Sequence, residues 1–329
     1  MIILNADEVR KALPMDEVIE AMKQAYASLS DGKADVPLRT RLSIPPHEAV
    51  SLVMPAYVQA EGVEALAVKV VSLFPKNPAR GLAFIQAAVI AFEADTGRAL
   101  ALLEGSTLTA IRTGAASGAA IDVLSRRDSQ IAAVFGAGVQ GRTQLEAACT
   151  ARKIDKAWVY DSDPDRAMAF SEEMAGQGRI PRDLRPAATP QEAICDADII
   201  CTATTSATPV FADSDLKPGA HISAVGSYTP EMAEVPPDTI RRAKVVVDSR
   251  SAVLAEAGDL IQPLQAGLIS ESHVFAELGE ILLGRKPGRE SDQEITYFKS
   301  VGVAVQDAMA AQLALKNAKE KGLGHEVAF

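Results

Sequence analysis

The stretch Ile131–Asp161, IAAVFGAGVQGRTQLEAACTARKIDKAWVYD, decides how the chain is read. A short apolar run meets three glycines, Gly136, Gly138 and Gly141, in G-x-G-x-x-G spacing, and a helical pattern follows. Glycines alone are a weak signal, because any strand that turns sharply into a helix uses them. In this context each glycine has its own role. The first makes the tight turn, the second admits a pyrophosphate to the backbone, and the third lets helix meet strand. The helix N-terminus then offers free N–H groups and a favourable dipole to the phosphates. The next apolar run, AWVY, ends in Asp161, placed to accept hydrogen bonds from the adenosine ribose hydroxyls. An acid there repels a 2′-phosphate, so NAD(H) is favoured and NADP(H) remains possible. The competing role for Asp161 is a cap on the helix in SDPDRAM, which Ser162 or Asp163 can fill instead.

Downstream, the apolar runs ADIICTAT, HISAVG and KVVVD alternate with helical segments. Continuous rather than alternating apolar strands, with helices between them, predict a parallel sheet covered on both faces. CTATTS and AVGSY end strands at the carboxyl edge, where ligands sit in open α/β sheets. Residues 295–322 read as one long amphipathic helix that returns to the first domain to bury its apolar stripe.

Upstream, apolar residues from Val18 to Leu29 predict that the chain opens on an amphipathic helix ending at SDGK. VSLVMPAYV, VEALAVKVVSLF, FIQAAVIAF and ALALLEG predict an antiparallel sheet with one covered face, with EADTG as the hairpin turn between the last two. STLTAIRTGAASGAAIDVLS predicts a Ser-capped helix whose small residues permit close packing and which joins two domains.

The 329 residues, 48% of them hydrophobic, are enough for two domains, since single cores rarely exceed ~250–300 residues. A formal charge of −10 supplies no basic stripe, so nucleic acid is not an expected partner. The opening residues show neither a signal peptide nor a membrane span, which points to the cytoplasm and away from membranes. Cys149, Cys195 and Cys201 form no CxxC pair, and the four histidines are scattered, so neither a disulfide framework nor a metal site is expected.

Three cations stand in unusual places. Lys69 lies inside ALAVKVVSLF, where a lysine either snorkels to the surface or is buried against a partner. Arg112 stands among small residues that are expected to leave its guanidinium exposed, and Arg41 lies beside Arg39 in PLRTRLSIP. Arginine forks suit carboxylates, so these cations are candidates to clamp an amino- or imino-acid carboxylate.

Nearly the whole chain resembles the ornithine cyclodeaminase / mu-crystallin family, which includes archaeal-type alanine dehydrogenases and cyclic ketimine reductases. The resemblance is carried by RTRLSIP, LAVKVVSLFP, GLAFIQAAVIAFEADTGRALALLEGSTLTAIRTGAASGAA, VFGAGVQGRTQ, KPGAHISAVGSYTPEMAEV, VVVDSRSAVLAEAGDL and FKSVGVAVQD, in that order. It implies an α/β fold in which a Rossmann doubly wound parallel sheet, residues 119–300, is inserted in an α+β substrate-binding and dimerisation domain, residues 1–118 plus 301–329. It also implies a homodimer. Arg41, Lys69 and Arg112 would hold the substrate carboxylate, with Lys69 beside the reacting carbon as the catalytic residue. Arg112, Thr113, Val139, Gln140, Asp161, Thr202, Gly226 and Ser300 would contact the cofactor, together with the three glycines.

Two departures from the cyclodeaminase branch bear on activity. Ala83 and Phe84 stand where that branch has Pro-Thr, and Tyr228 stands where it has an acid. Ornithine cyclisation needs a base that is ionised near neutral pH, and a tyrosine with a pKa of about 10 serves poorly. Reduction of a ring imine is less demanding, since the iminium carries its proton already and needs only orientation and hydride. The expected activity is therefore reduction of cyclic imino acids, pyrroline-2-carboxylate or piperideine-2-carboxylate, to proline or pipecolate. Alanine dehydrogenase, ornithine cyclodeaminase and a mu-crystallin-like cofactor-dependent binding protein stand as alternatives.

Overall fold

The computed structural model describes residues 1–60 and 62–328. The chain divides into two compact units, Met1–Arg112 with Val303–Phe329, and Thr113–Gly302.

The first unit contains β1 (Ile2–Leu4), β2 (Ala34–Asp35), β3 (Thr40–Ile44), β4 (Ala49–Ala60), β5 (Val63–Leu73), β6 (Ile85–Phe92) and β7 (Ala99–Glu104). The sheet order is His325–Glu326, β1, β7, β6, β5, β4, β2, with β3 also paired to β4. The β3 to β7 ladders are antiparallel as the alternation predicts, whereas β1 lies parallel to β7. One face is buried: Leu52, Met54 and Ala56 of β4 and Ala65, Ala67 and Val71 of β5 point to it. Helix α2 (Met15–Ser30) and the last helix, Ala304–Lys321, pack there.

The chain does not open on α2. It begins with β1 and helix α1 (Ala6–Ala12), the latter closed by a capping box in which the Glu8 N–H donates to Asn5 Oδ1 at 3.1 Å and the Asn5 N–H to Glu8 at 2.9 Å. Three residues of strand are too few for a periodicity, and the pairing of β1 with β7 is a tertiary event.

Helix α3 (Gly105–Leu124) carries the boundary between the units, which falls between Arg112 and Thr113. Its N-terminal N–H groups are satisfied by an acid rather than by the expected serine: Ser106 and Thr107 each donate to Glu104 at 2.8 Å. Ser106 Oγ instead accepts from the Ala87 N–H and donates to the Ile85 carbonyl, tying the helix start to β6.

The second unit is a wholly parallel sheet of β8 (Ile131–Phe135), β9 (Lys156–Tyr160), β10 (Leu184–Pro186), β11 (Ile199–Thr202), β12 (His221–Ala224), β13 (Lys244–Val247), β14 (Val274–Glu277) and β15 (Thr296–Lys299). The order β10-β9-β8-β11-β12-β15-β13-β14 reverses direction between β8 and β11, which is the switch point of a doubly wound fold. Both faces are covered. Ala132 and Val134 join one core with Leu145 and Phe170, while Ala133 and Phe135 join another with Ile194, Ile240 and Leu260.

Residues 295–322 are not one helix. Thr296–Lys299 form β15, fully buried between β12 and β13, and the helix begins only at Ala304. The four consecutive apolar, aromatic or β-branched residues 295–298 fit a buried strand as well as a helix turn, and periodicity cannot separate them. No helix among the described residues is long and apolar enough to cross a membrane.

Candidate active site

The glycine loop leaves β8 at its carboxyl end and enters helix α4 (Val139–Ala151). Gly136 has φ +102°, which L-residues rarely adopt, and a Cβ there would lie 2.6 Å from the Ala203 carbonyl oxygen. A Cβ at Gly141 would overlap the carbonyl of Gly136, so helix and loop touch only because that side chain is missing. Gly138 is different: its missing side chain faces open space, with an Arg166 guanidinium nitrogen the nearest atom at 3.8 Å. It is also the N-cap of α4 and makes no side-chain cap bond, so the first-turn N–H groups are left for a ligand. Val139 is two-thirds exposed at the mouth of this cradle, and Gln140 Oε1 is buried without a hydrogen-bond partner among the described residues. A pyrophosphate fits this loop by shape and by its donors.

Asp161 directly follows β9. Its carboxylate accepts from the Ala137 N–H at 2.8 Å and from the Asp163 N–H at 3.1 Å, so it braces the glycine loop. Asp163, not Asp161, caps the helix Pro164–Met174. Arg166 reaches to 3.8 Å from Asp161 Oδ1 and is more than half exposed.

The remaining cofactor candidates of this unit gather at the same carboxyl edge: Thr202 ends β11, Gly226 follows β12, and Ser300 follows β15. Two of their hydroxyl protons are directed inward, Thr202 to Glu234 at 2.9 Å and Ser300 to Asp248 at 2.8 Å. Both acids are buried. Thr202 and Ser300 are themselves 0% and 2% exposed, so in this arrangement their hydroxyls serve the buried acids and are not open to a ligand. Thr113 is buried in α3, where its carbonyl accepts from the Gln144 amide at 3.3 Å.

In the first unit the structure joins Lys69 and Arg112 through a residue not singled out in the sequence. Lys69 is 1% exposed, and its Nζ lies 2.7 Å from Asp307 Oδ2; Arg112 Nε lies 3.0 Å from Asp307 Oδ1. Lys69 does not snorkel. Arg112 is buried rather than exposed, and its Nη1 donates to Gln306 Oε1 at 3.0 Å, while the Gln306 amide donates to Tyr26 at 2.9 Å. While Lys69 is protonated, two cations on one carboxylate leave a net positive charge in a dry place, an arrangement that favours an anionic ligand. Burial, and then the Arg112 charge, push the Lys69 ammonium down to about 7, with Asp307 opposing them and Arg39 adding to them.

Arg41 is exposed on β3 and makes no ion pair among the described residues. The register still places it on the face of Lys69: Arg41 is opposite Leu52, and Leu52 is opposite Val71, two residues along β5 from Lys69. Asp307 and Gln306 are not singled out by the sequence alone. The available signal is a polar Gln-Asp pair inside VAVQDAMAA, otherwise built of small and apolar residues.

A model of the ornithine cyclodeaminase/mu-crystallin family matches residues 1–322. The chain is 42% identical to a Bacillus cereus Delta(1)-pyrroline-2-carboxylate reductase, with both sequences covered in full. Its fold matches that of Thermococcus litoralis Delta(1)-pyrroline-2-carboxylate reductase in complex with NADH and L-proline, with a TM-score of 0.94 and 46% identity over 99% of this chain and 100% of that one. An archaeal alanine dehydrogenase dimer with bound NAD superposes with a TM-score of 0.91 at 32% identity, covering 100% and 99% of the two chains. With a family model spanning almost its full length and relatives this similar end to end, the chain belongs to the ornithine cyclodeaminase/mu-crystallin family.

Proposed function

We propose that the protein is a reductase of cyclic imino acids that uses NADH, accepts NADPH less readily, and converts pyrroline-2-carboxylate to proline or piperideine-2-carboxylate to pipecolate. The carrying observation is the buried Lys69–Asp307–Arg112 cluster with its net positive charge. Likeness to Delta(1)-pyrroline-2-carboxylate reductases supports the choice of substrate. Arg112 and Arg41 hold the carboxylate, and Lys69 is the catalytic residue. The Gly136–Gly141 loop holds the pyrophosphate, Asp161 the adenosine ribose, and Thr113, Val139, Gln140, Thr202, Gly226 and Ser300 line the rest of the cofactor site. NADH, when bound, supplies the hydride that reduces the ring C=N bond.

The second requirement is a proton on the ring nitrogen. A lysine whose pKa lies near 7 is a good proton carrier at neutral pH, and Lys69 donates when the substrate arrives as the neutral imine. Asp307 holds the Lys69 ammonium and the Arg112 fork in one arrangement. Tyr228 has the wrong chemistry for a general base: burial pushes its phenol above the ordinary value of 10.0.

The protein works in the cytoplasm as a homodimer. Support for the dimer lies on the second face of the first unit's sheet, where Leu42, Val53 and Val70 are 62%, 36% and 41% exposed and lie beside half-buried Pro55, Val68 and Ile90. An apolar sheet face of this kind marks an association surface.

Turnover of NADH with pyrroline-2-carboxylate, piperideine-2-carboxylate, pyruvate plus ammonia, and, in the reverse sense, ornithine with NAD, tests the assignment. The two cyclic imino acids are expected to be reduced, with no ammonia released from ornithine. Lys69→Met is expected to lower kcat by about 10²-fold or more, the scale of a lost general acid, while NADH still binds. Rapid ammonia release from ornithine would make cyclodeaminase the correct reading.

A further inference from the structure

Glu234 has no part in the proposed chemistry, yet it is completely buried beneath two of the loops assigned to the cofactor. Its carboxylate accepts from Thr202 Oγ1 at 2.9 Å, the Thr204 N–H at 2.6 Å, Thr204 Oγ1 at 2.9 Å, the Gly226 N–H at 2.7 Å and the Ser227 N–H at 3.2 Å. These donors belong to the segments that leave β11 and β12 at the carboxyl edge. The two segments touch there: a Cβ on Gly226 would overlap both the Thr204 carbonyl oxygen and Glu234 Oε1. Glu234 is itself anchored, its N–H donating to Asp259 Oδ1 at 2.7 Å and its carbonyl accepting from the Val210 N–H at 2.9 Å. Asp259 in turn is held by Lys299 at 3.1 Å and by the Tyr297 hydroxyl at 3.2 Å.

The geometry points to which part of the cofactor this clamp serves. Asp161 stands after β9, and the glycine loop stands after β8. A dinucleotide lying across the switch point, with its adenosine ribose at Asp161 and its pyrophosphate at the loop, extends its other half over β11 and β12. We propose that Glu234 is a positioning residue for the nicotinamide half of the cofactor, acting through the Thr202–Thr204 and Gly226–Ser227 segments; this rests on the assignment of a dinucleotide site to the glycine loop. A carboxylate suits such a clamp because it only accepts hydrogen bonds, and every group aimed at it is a donor. Glutamine of the same shape would turn an NH2 group toward N–H and O–H donors, pushing the two segments apart.

Titration calorimetry with NADH and with ADP-ribose, which lacks the nicotinamide, separates a positioning role from a structural one. In Glu234→Gln the NADH Kd is expected to rise about 10-fold, the scale of one lost hydrogen bond to a charged group. The ADP-ribose Kd should stay within about twofold, since Asp161 and the glycine loop are untouched. An unchanged NADH Kd, or an equal rise for both ligands, overturns the proposal. Should that variant fail to fold, Thr204→Val removes a single hydroxyl donor and keeps the backbone bonds. It is expected to weaken NADH about threefold and leave ADP-ribose alone, and unchanged NADH binding would overturn the proposal equally. Wild-type protein that binds neither ligand would sink the dinucleotide assignment itself, a different failure.

Discussion

Lys69 shows what burial does to a single charge. Its strand neighbours are apolar, its side chain is 1% exposed, and its pKa falls from 10.5 to about 7 because water is absent and Arg112 is near. Two pH dependences follow, with definite signs. Between pH 7 and 10.5 the unfolded chain holds this proton and the folded one does not, so the Lys69 contribution to stability rises with pH across that window. With Lys69 as the proton donor proposed above, imine reduction runs the other way: kcat is expected to fall as pH rises through about 7. Asp307 raises the Lys69 pKa, so Asp307→Asn should move that falling limb to lower pH as well as lowering the rate. Steady-state pH profiles of the two proteins check this, and a limb that stays put or moves to higher pH would remove Lys69 as the titrating group.

At the scale of elements, α3 is the informative case. Its small residues are legible as a close-packing surface, and Gly114 is where the packing is tightest, since a Cβ there would overlap the carbonyl oxygen of Thr143 in α4. Overpacking of this kind costs about 1–3 kcal/mol and sometimes more, so Gly114→Ala is expected to lower the denaturation midpoint clearly. One turn further on, Ser117 is fully buried and its hydroxyl has no hydrogen-bond partner among the described residues. Ser117→Ala removes an unsatisfied polar group and is expected to leave the midpoint unchanged or raise it. The two substitutions add carbon or remove oxygen in the same helix with opposite effects, and urea titrations with a common baseline compare them directly. The cap of α3 departs from the sequence expectation because Ser106 is the preferred residue type, whereas Glu104 reaches the free N–H groups from the end of β7.

For the whole molecule, the exposed sheet face of the first unit bears on assembly. Its residues alternate with those that face α2 and the last helix, so both faces of β4 and β5 are largely apolar. A sheet with one solvated face normally reads hydrophobic-in and polar-out. If the second face meets a second copy of the chain, Val70→Lys introduces a charge at 41% exposure that the monomer tolerates and the dimer does not. Sedimentation velocity is expected to show a dimer for the wild type and a shift to monomer for the variant. A wild type that sediments as a monomer at micromolar concentration would require another explanation for this face.

The sequence by itself determined the parallel sheet, the glycine turn, the acid after the second strand and the strangeness of a lysine in an apolar strand. Each is a property of residues within a few positions of one another, written in period, turn chemistry and composition. Tertiary structure alone decided that Asp307 joins Lys69 and Arg112, because the Arg112–Asp307 bond spans 195 positions and no local pattern encodes it. It also decided that Thr296–Lys299 enter the middle of the sheet as a strand, since the identity of a short apolar run depends on which partners present free N–H and C=O groups. The inward aim of the Thr202 and Ser300 hydroxyls belongs with these. A side chain's type is local, but the direction of its proton is set by whichever buried acceptor the fold brings beneath it.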